Sequence, residues 1–136
     1  MTELTMGIDI GTTSVKGVVA DDDGTVVARV RVPHALHITA PDRMEHDAGQ
    51  AWRRGPRRAF AKLSQLAGAA PRAVAISAMV PSLTSVDRRG RPLTSGLLYG
   101  DARGRVAGGA ADPAGTGEAL QFLRWTMGER PDAFGY

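Results

Sequence analysis

The sequence has no cysteine, which removes disulfides, zinc-thiolate sites and iron-sulfur clusters from consideration and says nothing more about compartment. No stretch of about eighteen apolar residues occurs, and the start, MTELTMGIDIG, has neither the basic nor the apolar region of a signal peptide. We therefore read the chain as cytoplasmic, with no membrane partner. Lysine is scarce as well: Lys16 and Lys62 are the only two, so the net charge of +3 rests on arginine. Aromatic residues make up 5% of the chain. None interleaves the basic clusters RRGPRR and RRGR, and no groove-reading motif accompanies them, so solvated faces and turns explain the arginines better than a nucleic-acid surface does. What is present is a globular balance. Of 136 residues, 43% are hydrophobic and 23% charged, the size of one domain with enough apolar material to bury a core.

Period-two patterning marks the first third. Leu4, Met6, Ile8 and Ile10 alternate with Thr5, Gly7 and Asp9, which predicts a strand with one apolar face. A second strand is expected over Val15 to Ala20, then a tight turn at Asp23-Gly24. A third follows over Thr25 to Val32, with Val26, Ala28, Val30 and Val32 on the face opposite Val27, Arg29 and Arg31. The segment HALHITAPDRMEH shows no clear period and reads as a loop. Asp47 then stands at a helix N-cap with Gln50 at the capping-box position. An advance of about 100° per residue from Trp52 gathers Pro56, Ala59, Phe60, Leu63 and Leu66 into one stripe and leaves Arg53, Arg54, Arg57, Arg58 and Lys62 outside it. Pro56 removes a hydrogen bond to Trp52, so a kink or a broken first half is expected. Beyond Pro71, Ala73 to Ser77 reads as a short buried strand and Ser82 to Asp87 as a second. GLLYGDARGR reads as a strand running into a polar loop, and Gly117 to Met127 as a late helix. Val106 to Gly117 is flexible by composition.

The stretch MGIDIGTTSVKGVV carries the chemistry. Asp9 closes a strand on the face opposite Ile8 and Ile10, so its carboxylate emerges where the chain turns. Gly11 lets a ligand approach the backbone, and Thr12, Thr13 and Ser14 set hydroxyls beside successive main-chain N–H groups, which can form an anion-binding nest. Lys16 can return a compact positive charge to the same place. A carboxylate for hydrated magnesium, donors for phosphate oxygens and one cation are the parts phosphoryl transfer needs. The same letters also suit a plain hairpin with a surface aspartate. They do not make a Walker loop, because a strand here enters a strand rather than a helix.

On these residues the chain resembles a known group. GIDIGTTSVKGVVADDDGTVV is similar to the first phosphate hairpin of the actin-like, ribonuclease-H-like ATPases. EHDAGQAWR, VAISAMVPSLTSVDRRGRPL, LLYGDARGR and LQFLRWTMGERPDAF, in that order, resemble successive segments of the FGGY carbohydrate kinases, whose relatives include xylulokinase, gluconokinase and glycerol kinase. The resemblance implies an α/β, ribonuclease H-like (actin-like ATPase) fold: a partial amino-terminal domain opening with the antiparallel three-strand meander, then a helix and further strands. It implies ATP and Mg2+ as cofactors and a sugar or polyol substrate. Asp9 would hold the magnesium through water, Gly11, Thr12, Thr13 and Ser14 would cradle the phosphates, and Lys16 would neutralise the transferred group. Tyr99 stands where the family has a tryptophan against the sugar, and Asp101 and Arg103 match the acid and base of that loop, with an intraloop ion pair as the alternative. Met79, Val80 and Pro81 fall where the xylulose and glycerol enzymes have polar substrate-binding residues. All three are apolar here, so those two substrates lose support, and Met79 also reads as plain core.

The family has two actin-like domains, and residues 1–136 correspond to an incomplete first one. The resemblance therefore implies that the second domain and the later aspartate that accepts the hydroxyl proton lie outside this sequence, in a missing carboxy-terminal kinase portion, and that the chain alone is an inactive fragment. A homodimer of the full-length form stays open. The alternatives are a non-catalytic nucleotide- or protein-binding module of the actin-like superfamily, or a chaperone-type ATPase. LYGDARGR and the Asp87 to Pro92 turn speak against the last.

Overall fold

The computed structural model describes residues 3–105 and 117–136. It divides into two compact units, one made of Met1–Ala35 with Gln50–Ala78 and the other of Leu36–Gly49 with Met79–Tyr136. The stretch from Val106 expected to be flexible lies outside the described residues as far as Thr116.

The first unit is a four-stranded sheet with one helix. The meander forms as the alternation requires: β1 (Thr5–Ile10), β2 (Ser14–Ala20) and β3 (Val26–Pro33) pair antiparallel. Between β2 and β3 the turn is wider than a two-residue hairpin. The Asp21 carboxylate accepts the N–H groups of Asp23 and Thr25, and Gly24 takes φ 81°, a conformation that favours glycine. The next helical stretch opens with a π-helical segment, Gly49–Arg54, and continues as α1 (Gly55–Ala67) with Pro56 in its first turn. The break foreseen at Pro56 is thus real. Proline is tolerated there because the N–H it lacks would be unsatisfied anyway.

Met6, Ile8, Val15, Val19, Ala28 and Val32 from the sheet close over Ala59 and Leu63 of α1. The buried stripe of α1 is narrower than expected, since Phe60 and Leu66 stay exposed. The fourth strand, β6 (Ala73–Ala78), runs parallel to β1 at the sheet edge, in the order β3-β2-β1-β6. Its strand state was expected, but so was its burial, and that expectation fails: all six residues are exposed. The reason is lateral. α1 packs over β2 and β3 and barely reaches β1, so nothing described covers β6.

The second unit corrects two readings. The supposed loop before the helix is a hairpin of β4 (His37–Ala40) and β5 (Arg43–His46), and β5 pairs further with β7 (Gly96–Leu97). Four-residue strands with little burial leave no alternation to read. Ser82–Asp87, expected as a strand, makes only isolated bridges, Leu83 to Leu97 and Val86 to Pro92 and Gly135. Its hydroxyls are occupied locally: Thr84 and the buried Ser85 bond Thr94. Such side-chain bonds compete with a regular ladder. The late helix, α2 (Gly117–Glu129), is present and buries Phe122.

Candidate functional site

Strand register decides what the opening stretch can do. Asp9 faces Lys16 on β2 and Ser77 on β6, and Lys16 faces Arg31 on β3. Register partners share a face of a sheet, so Ser77, Asp9, Lys16 and Arg31 form one row across four strands, on the face away from α1. Below the row Gly7 and Ala75, two residues without bulk, leave a concavity of about 350 Å³ lined also by Asp9, Lys16, Val18 and Ser77. Neither the Asp9 carboxylate nor the Lys16 ammonium has a hydrogen-bond or ion-pair partner among the described residues.

The turn joining β1 to β2 is closed by the Gly11 N–H donating to the Ser14 carbonyl at 3.0 Å. The Gly11 N–H is therefore occupied within the turn itself. Ser14 is 1% exposed, and its Oγ accepts a bond from Arg31 Nε at 3.1 Å, so this hydroxyl is partly engaged, whereas Thr13 is exposed. His34 braces the turn: its N–H donates to the Thr13 carbonyl at 3.1 Å. Burial holds the His34 imidazole below the usual histidine range, which keeps it neutral near pH 7.

Among the described residues, no group of three or more His, Asp or Glu side chains could enclose a metal. One unpartnered carboxylate at a strand end does fit magnesium, which keeps most of its water and is typically held by one or two carboxylates plus phosphate oxygens. Arg31 and Ser77 were not singled out from the sequence. The signal was available for Arg31, which shares a face of β3 with Arg29 and falls opposite Lys16 once the meander is paired.

The residues that the resemblance places beside a substrate lie in the second unit. Val80 is 84% exposed, Met79 and Pro81 are half-buried, and Tyr99 is exposed. Asp101 is 0% exposed. Its two oxygens accept four bonds: from Arg103 N at 3.0 Å, Nε at 2.9 Å and Nη2 at 2.6 Å, and from Met44 N at 3.0 Å. Burial pushes this carboxyl up, but the Arg103 and backbone hydrogen bonds outweigh it and hold it below the usual range. Arg103 also pairs with Glu45, which accepts a bond from Ser95 Oγ, and stacks at 4.6 Å on the Trp125 ring. The ion pair weighed against substrate contact is thus present. It leaves Asp101 no open lone pair for a sugar hydroxyl.

The chain is 36% identical over 105 residues to an apulose kinase of Pectobacterium atrosepticum, covering 75% of this chain and 21% of that protein. It is 27% identical over 103 residues to a gluconokinase of Bacillus licheniformis, covering 76% and 20%. Among solved structures it is similar to the xylulose kinase of Rhodospirillum rubrum (TM-score 0.68, 30% identity, 75% of this chain and 21% of that one). It is also similar to the gluconate kinase of Lactobacillus acidophilus (TM-score 0.67, 26% identity, 74% and 20%). The chain thus spans about a fifth of the length of the curated relatives it matches. These neighbours have the actin-like ATPase fold, of which this chain is a partial α/β domain. No helix among the described residues is long and apolar enough to cross a membrane. With the model for the amino-terminal domain of the FGGY family of carbohydrate kinases matching residues 4–107, the strands that build the charged row included, the chain belongs to that family.

Proposed function

We propose that this chain is the phosphate-binding portion of a cytoplasmic kinase that moves the terminal phosphoryl group of ATP to a hydroxyl of a sugar or polyol. One observation carries the reading: Asp9 and Lys16 stand side by side in register at the mouth of the Gly11–Ser14 turn, with no protein partner among the described residues. Opposite charges left unpaired beside a turn suit a ligand that carries both a cation and anionic oxygens. Bound Mg-ATP would supply the transferable group and its metal. The chain's own part is positioning. Asp9 holds the hydrated magnesium, the turn from Gly11 to Ser14 cradles phosphate oxygens, and Lys16 neutralises the charge that develops on transfer.

Met79, Val80, Pro81 and Tyr99 would border the sugar. The first three bring no polar side chain, so a substrate would be met there by main-chain groups and by the ring of Tyr99. In this reading the second actin-like domain and the proton-accepting aspartate belong to a carboxy-terminal portion beyond these residues, and the 136-residue chain does not turn over. The four bonds on Asp101 support that, since a carboxylate so paired is a poor base.

The test is calorimetric titration of the purified chain with ATP, with and without Mg2+, followed by an ADP-release assay across a sugar and polyol panel. We expect weak, magnesium-dependent binding, no sugar-dependent release, and loss of the magnesium dependence in Asp9→Asn with an unchanged melt. Undiminished magnesium dependence in Asp9→Asn would remove Asp9 from the metal role. Sugar-dependent turnover would overturn the fragment reading.

A further inference from the structure

Arg31 occupies the outer end of the charged row. It lies on β3 directly opposite Lys16, which lies opposite Asp9. Its Nε donates to Ser14 Oγ at 3.1 Å, and Ser14 is the residue whose carbonyl closes the phosphate turn. The two terminal nitrogens of the guanidinium have no partner among the described residues. Arg29 is on the same face and on the same edge strand, yet its side chain makes no hydrogen bond among the described residues. A charge that only keeps an edge strand soluble needs no anchor. Arg31 has one, on a hydroxyl that is itself buried.

We propose that Arg31 and Ser14 form an additional anion position of this hairpin, in which the terminal nitrogens of Arg31 take a phosphate oxygen of a polyphosphate ligand. The idea rests on the phosphate reading of the turn. A guanidinium held by one edge keeps its other donors in a fixed plane, the geometry that suits a phosphate, and loses less freedom when the ligand arrives. Ser14 thereby acquires a second task. Its carbonyl shapes the turn, while its oxygen aims the arginine.

The experiment titrates inorganic tripolyphosphate into the whole 136-residue chain and follows the backbone amides and the Arg31 Nε–H by NMR, which also reports that each variant is folded. Arg31→Gln is expected to weaken binding about 3- to 10-fold, the range of a charge-assisted bond discounted for exposure, and Arg29→Gln less than about twofold. Arg31→Lys should recover under half of the loss, because one ammonium cannot bond Ser14 and present a fork. Ser14→Ala should also weaken binding, and its effect should not add to that of Arg31→Gln. Equal effects of the two arginine variants, full rescue by lysine, or strict additivity with Ser14→Ala would each overturn the proposal. Weakening by Lys16→Ala without any by Arg31→Gln would overturn it and leave the phosphate reading standing. Absence of tripolyphosphate binding by the unaltered chain would overturn both.

Discussion

Asp101 shows how a single residue can be set by its neighbours against its own burial. A carboxyl with 0% exposure is raised by desolvation, and only its bonds from Arg103 and from the Arg103 and Met44 backbones turn the balance downward. Because the folded value is depressed, the stabilisation is present above the unfolded value of about 3.9 and is lost as pH falls through the lower folded value. Arg103→Ala reverses the sign: without the guanidinium, burial dominates and the variant is relieved when Asp101 takes up a proton. We expect Arg103→Ala to cost about 3–5 kcal/mol at pH 7, the range for breaking a buried pair, and markedly less near pH 3.5. Urea melts of both proteins at the two pH values measure it. A cost independent of pH would mean that the loss comes from the Trp125 contact rather than from the stranded carboxylate.

At the scale of elements, α1 reaches the sheet through a glycine. A Cβ on Gly17 would lie 2.6 Å from Leu63 Cδ1 and 3.2 Å from the Gly7 carbonyl, and Leu63 is 0% exposed. Gly17→Ala should therefore destabilise the chain by about 1–3 kcal/mol through overpacking. Coupling it with Leu63→Ala should recover part of that, so that the two changes fall short of additivity in chemical melts. Additive losses would indicate that β2 yields instead of the helix. The same elements mark what sequence could and could not tell. The meander was legible because Met6, Ile8, Val15, Val19 and Val32 carry a period of two and also reach the core. β4 and β5 were not, because β5 is held by β7, about fifty residues away, and local letters carry no sign of that pairing. Asp9, the Gly11–Ser14 turn and Lys16 could be named from the sequence as a set of residue types, whereas the place of Arg31 beside them emerged only from register. Arg103 reads as half of a loop ion pair, but its stack on Trp125 depends on where α2 comes to rest.

Taken whole, the molecule leaves one sheet edge unfinished. β6 is the end strand of its sheet, and Val74 and Ile76 are 43% and 64% exposed on the side that carries the core. An open edge with apolar side chains is a template for pairing with another chain. We expect the purified protein to self-associate with rising concentration. Ile76→Lys should suppress this in sedimentation velocity while shifting the thermal midpoint by less than about 2 °C, since the residue is already exposed. Unchanged association in that variant would move the contact elsewhere.

The division of the chain adds a consequence for the order of events during synthesis. Each compact unit is discontinuous: the first is interrupted by Leu36–Gly49, and the second consists of that inserted segment plus everything from Met79 onward. A nascent chain that has cleared the ribosome as far as Ala78 holds every residue of the first unit, so its sheet and helix can form while translation continues. The hairpin of β4 and β5 has by then been exposed for some time and remains unmatched on one side until Gly96 and Leu97 emerge. Release of a shortened chain at Ala78 would thus yield a folded sheet with a dangling loop, whereas a chain begun at Met79 would have no β5 for β7 to join.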